Sequence, residues 1–207
     1  SSTSRGLGDV YKRQVLEEGY SVRTLSFNEE ESKLLKGFQL LTIKPVLYVA
    51  NVGENGFLNN PHLDAVVNFA NSEKSEAIAI CADIEAEITE LDEKEKYDFL
   101  QEMGQNESGL DRLIKAGYKL LGLQTYFTAG IQEVRAWTIN VGDSAPQAAG
   151  KIHGDFEKGF IRAETIAFHD YVDNMGEKGS KEAGKLRSEG KEYIVKDGDV
   201  MHFLFNV

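Results

Sequence analysis

The side chains best equipped for recognition chemistry stand at Asn51-Val52-Gly53-Glu54 and, some thirty positions later, at Cys81-Ala82. An Asn amide donates and accepts at once, which suits a purine N7 and its exocyclic group, while a carboxylate only accepts. Each site follows an apolar run, Pro45-Val46-Leu47-Tyr48-Val49-Ala50 and Ala77-Ile78-Ala79-Ile80. In a doubly wound α/β sheet, ligands sit beyond the carboxyl ends of the strands, so the two sites would face one crevice.

The tetrapeptide has three near-copies: Asn28 with Glu31, Asn174 with Glu177, and Asn140-Val141-Gly142-Asp143. Asn28 and Asn174 follow no strand-like run. Asn140 follows Arg135-Ala136-Trp137-Thr138-Ile139, whose alternation fits a half-exposed antiparallel strand. Only Asn51 ends a continuous apolar strand with a helix and a second apolar strand behind it. On the residues alone, an ordinary strand-to-loop turn stands beside the base-reading role.

Other reactive side chains are less well placed. His62, His153, His169 and His202 share no metal-ligand spacing with Cys81, so no metal site is expected. Glu85 and Glu87 could form a carboxylate pair, but in so acidic a stretch they are expected to be a solvated face. Cys81 has no cationic neighbour in sequence to activate it and is expected to be a buried, inert thiol. Lys178, Lys181, Lys185, Arg187 and Lys191 form the remaining binding candidate, with the first three expected on one helical face. A solubilising surface segment is the plain alternative.

These residues need a scaffold, and 207 residues with 41% apolar content suffice for one large domain or two small ones. A net charge of −11 disfavours broad nucleic-acid binding through phosphate neutralisation. The imbalance is concentrated in residues 83–112, where acids outnumber bases eleven to three. A single cysteine forbids an internal disulfide, and no apolar stretch approaches a membrane span or signal core, so a cytoplasmic protein is expected. Residues 1–14 lack apolar periodicity, do not begin with Met, and are expected to be a non-native leader.

Residues 15–43, with Leu34, Leu35, Phe38, Leu40 and Leu41, predict a helix delivering the chain into the strand at Val46. Asn60-Pro61 starts a helix whose face carries Leu63, Val66, Val67 and Ala70. Asp92 with Glu95 opens another, closed by Gly104. Ser108 with Asp111 opens a third, whose stripe of Leu110, Leu113, Ile114, Tyr118 and Leu121 is expected to be buried. This half predicts an α/β fold with parallel strands. Beyond Leu123 come short alternating strands over 124–129, 133–139, 160–168, 192–195 and 200–206, with a helix over 145–156 and a terminal hairpin through Lys196-Asp197-Gly198-Asp199. That pattern predicts a compact β-grasp, the ubiquitin-like plan.

The strings Leu123-Gln124-Thr125-Tyr126-Phe127-Thr128-Ala129-Gly130, Glu133-Val134-Arg135-Ala136-Trp137-Thr138-Ile139 and Ala145-Pro146-Gln147-Ala148-Ala149-Gly150-Lys151-Ile152-His153 continue to Lys196-Asp197-Gly198-Asp199-Val200-Met201-His202-Phe203. This half closely resembles the carboxyl-terminal TGS domain of the YchF or Obg-like ATPase family, in the translation-factor-related class of P-loop GTPases. The resemblance covers roughly residues 15–207.

The resemblance implies a partial P-loop nucleoside triphosphatase of Rossmann-like, parallel-stranded fold, followed by a β-grasp TGS domain. Its implied division is a leader over 1–14, the return arm of an inserted helical domain over 15–43, the end of the nucleotide domain over 44–122 and the TGS domain over 123–207. In that family an Asn-x-x-Glu motif replaces the Asn-Lys-x-Asp of GTPases, and ATP is preferred over GTP. Asn51-Val52-Gly53-Glu54 matches it position by position, and Cys81-Ala82 matches the small-residue loop that supports the base. Adenine lacks the N1 and 2-amino donors that reward an Asp in GTPases.

No Gly-Lys-Ser or Gly-Lys-Thr occurs, so the P-loop, the Mg²⁺ ligand and the catalytic segment of the family are missing. The chain is therefore expected to be a carboxyl-terminal fragment with no catalytic residue of its own, inactive in hydrolysis alone. The complete protein is expected to bind and hydrolyse ATP with Mg²⁺ and to associate with the ribosome, at the large subunit, with the basic residues 178–191 as the contact. A non-enzymatic ribosome or RNA adaptor acting through the TGS domain is the competing expectation; neither membrane nor DNA is an expected partner.

Overall fold

The computed structural model describes the backbone of residues 2–206 and the side chains of residues 10–206. Two compact units divide the chain, Ser1–Leu120 and Leu121–Val207.

In the first unit the stretch expected to be a leader lies largely within a helix, α1 (Ser2–Glu17). An Arg13–Glu17 pair spans one turn, and Lys12 Nζ reaches Glu31 at 2.6 Å. That glutamate belongs to α2 (Glu29–Phe38), which opens on a capping box: Asn28 accepts from the Glu31 N–H and Glu31 accepts in return. The single delivering helix is thus replaced by α2 flanked by 3-10 turns at 22–24 and 41–43, and Leu34, Phe38 and Leu41 stay exposed.

Strand β1 (Leu47–Asn51), helix α3 (Pro61–Ser72) and strand β2 (Glu76–Ile80) follow, with the strands parallel and Asn51 opposite Ile80. Asn60 caps α3 through the His62 and Leu63 N–H groups, with Pro61 supplying the first helical residue. The strands are less buried than their apolar runs predict. A two-stranded sheet leaves both edges open, and Val49 remains 43% exposed.

Next come α4 (Ala82–Thr89), α5 (Glu93–Glu102) and α6 (Gly109–Leu121). Asp92 and Glu95 make the predicted capping box of α5, and Gly104 turns the chain after it at φ 67°. The core of this unit is small: Cys81, Ile84, Ile88 and Leu100, with Phe57, Phe99 and Met103 packed on it. The predicted buried stripe of α6 is mostly outside it. Leu110, Ile114 and Leu121 are exposed, because the helix buries Gly109 and Ala116 instead.

The second unit contains β3 (Leu123–Ala129), β4 (Val134–Asn140), α7 (Ala145–Ile152), α8 (Gly154–Lys158) and β5 (Phe160–Ile166). It continues with α9 (Phe168–Asp173), α10 (Glu177–Glu182), β6 (Arg187–Glu189) and β7 (Val200–Phe205). The sheet order is β4-β3-β7-β5-β6, with β7 parallel to β3 and antiparallel to β5. Tyr126, Ile139, Ala148, Ala149, Phe160, Met201 and Phe203 close the core between sheet and α7. At its margin Gly159 passes Asn206 so closely that a Cβ there would collide with the Asn206 carbonyl oxygen.

Three expectations are corrected here. The helix over 145–156 breaks at His153, whose extended backbone lets its Nδ1 accept from the Asp155 N–H and start α8. Residues 192–195 make no strand beyond an Ile194–Ser144 bridge, so there is no terminal hairpin. The 196–199 turn is bound to β3 instead: the Thr125 N–H donates to Asp197, and the Gly198 N–H donates to the Thr125 carbonyl. β5 also stops at Ile166, with Phe168 opening α9.

Candidate functional site

Asn51 ends β1, and the pairing extends one residue further because the Val52 N–H donates to the Ile80 carbonyl at 2.8 Å. The Asn51 Oδ1 accepts from the Ala82 N–H at 3.1 Å. Ala82 is the first residue of α4, whose cap position, Cys81, supplies no side-chain acceptor. Asn51, an exposed residue, therefore satisfies an orphan donor of the helix from a neighbouring strand through Oδ1, which leaves its Nδ2 for a ligand.

Cys81 is 1% exposed in the core cluster, so its thiol is closed to a ligand. The loop after Asn51 is stapled. The Gly56 N–H donates to the Gly53 carbonyl at 2.7 Å, and the Asn60 Nδ2 donates to the Gly56 carbonyl at 2.9 Å. Val52 is half-buried and Glu54 exposed. Glu54 lines a cavity of about 430 Å³ with Phe57, Leu58, Met103 and Gln105; Asn51 and Ala82 do not line it. Asn51 and Ala82 are brought together, while Glu54 addresses a recess of its own.

The near-copies of the tetrapeptide do local work. Asn28 builds its capping box, the Asn140 N–H donates to Asp143 at 2.9 Å, and the Asn174 Nδ2 donates to the Asp170 carbonyl. Each bond spans three or four residues, whereas that of Asn51 spans 31.

The basic stretch does not form one face. Helix α10 ends at Glu182, before Lys185, and Lys185 pairs with Asp170 at 3.1 Å. Arg187 pairs with Glu189 at 3.0 Å and reaches the buried Asp199 and the Tyr193 hydroxyl. Lys178, Lys181 and Lys191 are exposed and make no ion pair among the described residues. Glu85 is likewise engaged: it accepts from the Gly109 and Leu110 N–H groups at 2.7 and 3.0 Å, capping α6. The solvated-face reading therefore fails for Glu85, and Glu87 is exposed.

Sequence reasoning missed one cluster. Glu73 accepts from the Tyr48 hydroxyl at 2.5 Å, from Arg23 at 2.8 Å and from Ser21 at 2.8 Å. These donors, Tyr48 foremost, hold its carboxyl down at about 2. The four residues are spread over more than fifty positions, and no local window could gather them. Beside the cluster, a cavity of about 1190 Å³ is lined by Val46 and Glu76, at the opposite end of the strands from Asn51.

Residues 123–206 match the family model YchF-GTPase_C, described as a protein of unknown function (DUF933). The "Ribosome-binding ATPase YchF" of Escherichia coli O157:H7 is 60% identical over 192 residues, 93% of this chain and 53% of the relative. That of Bacillus subtilis strain 168 is 54% identical over 198 residues, 94% of this chain and 54% of the relative. The chain thus spans about half the length of the curated relatives it matches. The structure of the Schizosaccharomyces pombe YchF GTPase is 33% identical, with a TM-score of 0.80 over 98% of this chain and 55% of that one. A GTP binding protein from Pyrococcus horikoshii OT3, at 13% identity and TM-score 0.57 over 98% of this chain and 66% of that one, shares the fold alone. No helix among the described residues is long and apolar enough to cross a membrane.

Proposed function

The chain belongs to the YchF family, and from that premise we propose that it is the base-reading and partner-binding portion of an ATP-preferring P-loop nucleoside triphosphatase that works with ribosomes. One observation carries the base-reading role. Alone among four similar strings, Asn51 sits at the end of a parallel strand and is held to the start of the helix after the next strand. That is where a doubly wound sheet places its ligand. In this reading Asn51 contacts the purine edge through Nδ2, Val52 and the Cys81-Ala82 backbone border the ring, and Glu54 sets base preference.

The second unit is proposed to be a TGS domain of β-grasp plan. Its sheet order, with the last strand central and parallel to the first, supports that reading. It is proposed to engage the large ribosomal subunit in the cytoplasm, with Lys178, Lys181 and Lys191 as the cations free to reach a partner. The adaptor reading is favoured only by this unit's separate core. Mg²⁺ is proposed to accompany the nucleotide, but no group of three His, Cys, Asp or Glu gathers among the described residues to hold it. Hydrolysis is proposed for the complete protein and not for these residues alone.

The test compares ATP and GTP affinities of a complete protein carrying this chain, with and without Glu54→Asp. ATP should be preferred by the native protein, and the gap should narrow in the variant. Equal preference in both would defeat the assignment.

A further inference from the structure

The recess beside Glu54 takes one of its walls from a segment fifty residues downstream. Phe57 and Met103 back onto Cys81, Ile84, Ile88 and Leu100. Cys81 immediately precedes Ala82, whose N–H holds Asn51. The strand end, the small-residue loop and the recess wall are thus one packed block, although Asn51 itself does not line the recess.

The downstream wall is also pinned. The Gln105 N–H donates to the Leu100 carbonyl at 2.8 Å after the left-handed turn at Gly104. The Gln105 Oε1 accepts from Arg112 Nη1 at 2.7 Å, and Arg112 Nη2 donates to the Ala79 carbonyl of β2 at 3.1 Å. With its oxygen engaged, Gln105 offers Nε2 as a donor. The recess therefore combines an acceptor-only carboxylate, an amide donor and apolar surfaces from Phe57, Leu58 and Met103.

Adenine presents the matching pattern. Its exocyclic amine donates and the adjacent N1 accepts, while guanine reverses both, so a fixed donor beside a carboxylate discriminates between them. A thioether gains from contact with an aromatic ring, and the cavity of about 430 Å³ lies within the usual range for small-molecule sites.

We propose that the α5–α6 connector, Met103 to Gln105, is a specificity-determining wall of the adenine site, with Met103 against the ring, Gln105 donating to N1 and Glu54 accepting from the amine. The proposal rests on the base-binding reading of Asn51 and extends it to a segment that the tetrapeptide does not contain.

The chain has three methionines, Met103, Met175 and Met201, and the latter two lie in the second unit, so methyl-labelled Met reports the recess with internal controls. Adenosine and guanosine serve as probes, since neither needs a phosphate cradle. Adenosine should shift the Met103 methyl and leave those of Met175 and Met201 in place, and guanosine should shift it far less. Met103→Ala should weaken adenosine about threefold. Gln105→Glu, which keeps the acceptor for Arg112 but loses the donor, should reduce the adenosine-over-guanosine preference even if Met103→Ala folds poorly. Saturation transfer to adenosine that Asn51→Ala suppresses, with no Met103 shift and no effect of Gln105→Glu, overturns the connector's role and leaves the Asn51 reading standing. Transfer indifferent to Asn51→Ala, or no transfer at all, overturns both.

Discussion

The two units solve the burial problem differently. Residues 121–207 wrap α7 against a five-stranded sheet and hide Tyr126, Ile139, Met201 and Phe203 almost completely. Residues 1–120 gather Cys81, Ile84, Ile88 and Leu100 into one small buried cluster while Val49, Phe69, Leu110 and Ile114 face outward. The difference locates stability and recognition apart. The second unit is held mainly by apolar packing, which is insensitive to ionic state near neutrality, with the Arg187–Asp199 pair beside it. The first relies on caps and ion pairs: Asn51 on Ala82, Glu85 on α6, and Glu73 on Tyr48, Arg23 and Ser21.

The largest test of that contrast is Phe203→Ala. Removing a ring buried against Tyr126 and Phe160 should cost the second unit about 3–5 kcal/mol. Trp137, the single tryptophan, packs on that core, so its fluorescence should report a lowered urea midpoint. A midpoint unchanged from native would mean that the core is not what holds this unit.

A smaller effect is expected from Tyr126→Phe. The buried hydroxyl donates to the Ala148 carbonyl at 2.9 Å, and its loss should cost about 1–2 kcal/mol near neutral pH. Burial pushes the phenol above its ordinary value of 10.0. Folding therefore favours the protonated form, and this contribution is complete below pH 10 and lost as pH rises through the raised value. Tyr193 shifts the same way, through burial and the Asp199 carboxylate. The Trp137 transition should weaken above pH 10, less steeply in Tyr126→Phe; identical slopes would remove Tyr126 from the alkaline limb.

The smallest effect belongs to the first unit and to acid. Glu73 is held at about 2 against an ordinary 4.5, chiefly by the Tyr48 hydroxyl. Its folded value is depressed, so its contribution is present above pH 4.5 and lost as pH falls toward 2. Amide protection in β1 and α3, taken relative to the unfolded chain's own exchange rate at each pH, should fall over that window in the native chain, and Glu73→Gln should flatten the dependence. Acid sensitivity appearing first in the second unit would reverse the comparison.

Local chemistry was the legible part of the sequence. Asn60-Pro61, Asp92 with Glu95 and Ser108 with Asp111 all cap helices where their spacing predicts, and the paired apolar runs become β1 and β2. Illegible were bonds whose partners are far apart in sequence. Glu85 is drawn to α6 across 24 residues, and Lys185 is drawn to Asp170 off the expected face. The 192–199 stretch alternates like a hairpin, yet Asp197 and Asp199 bind β3 and the Tyr193–Arg187 group instead. Alternation reports a pleated surface without saying which strand it will join.

The central position of β7 has a consequence for how the protein is made. The β3–β4 and β5–β6 pairs share no backbone ladder until residues 200–205 arrive between them. During synthesis the two pairs can be bridged only once that segment emerges, and the contact from Phe127 to Val200 then closes a loop of 73 residues. Such a high-separation contact slows folding, so the core around Tyr126 forms only after nearly all of the second unit has left the machinery that translates it.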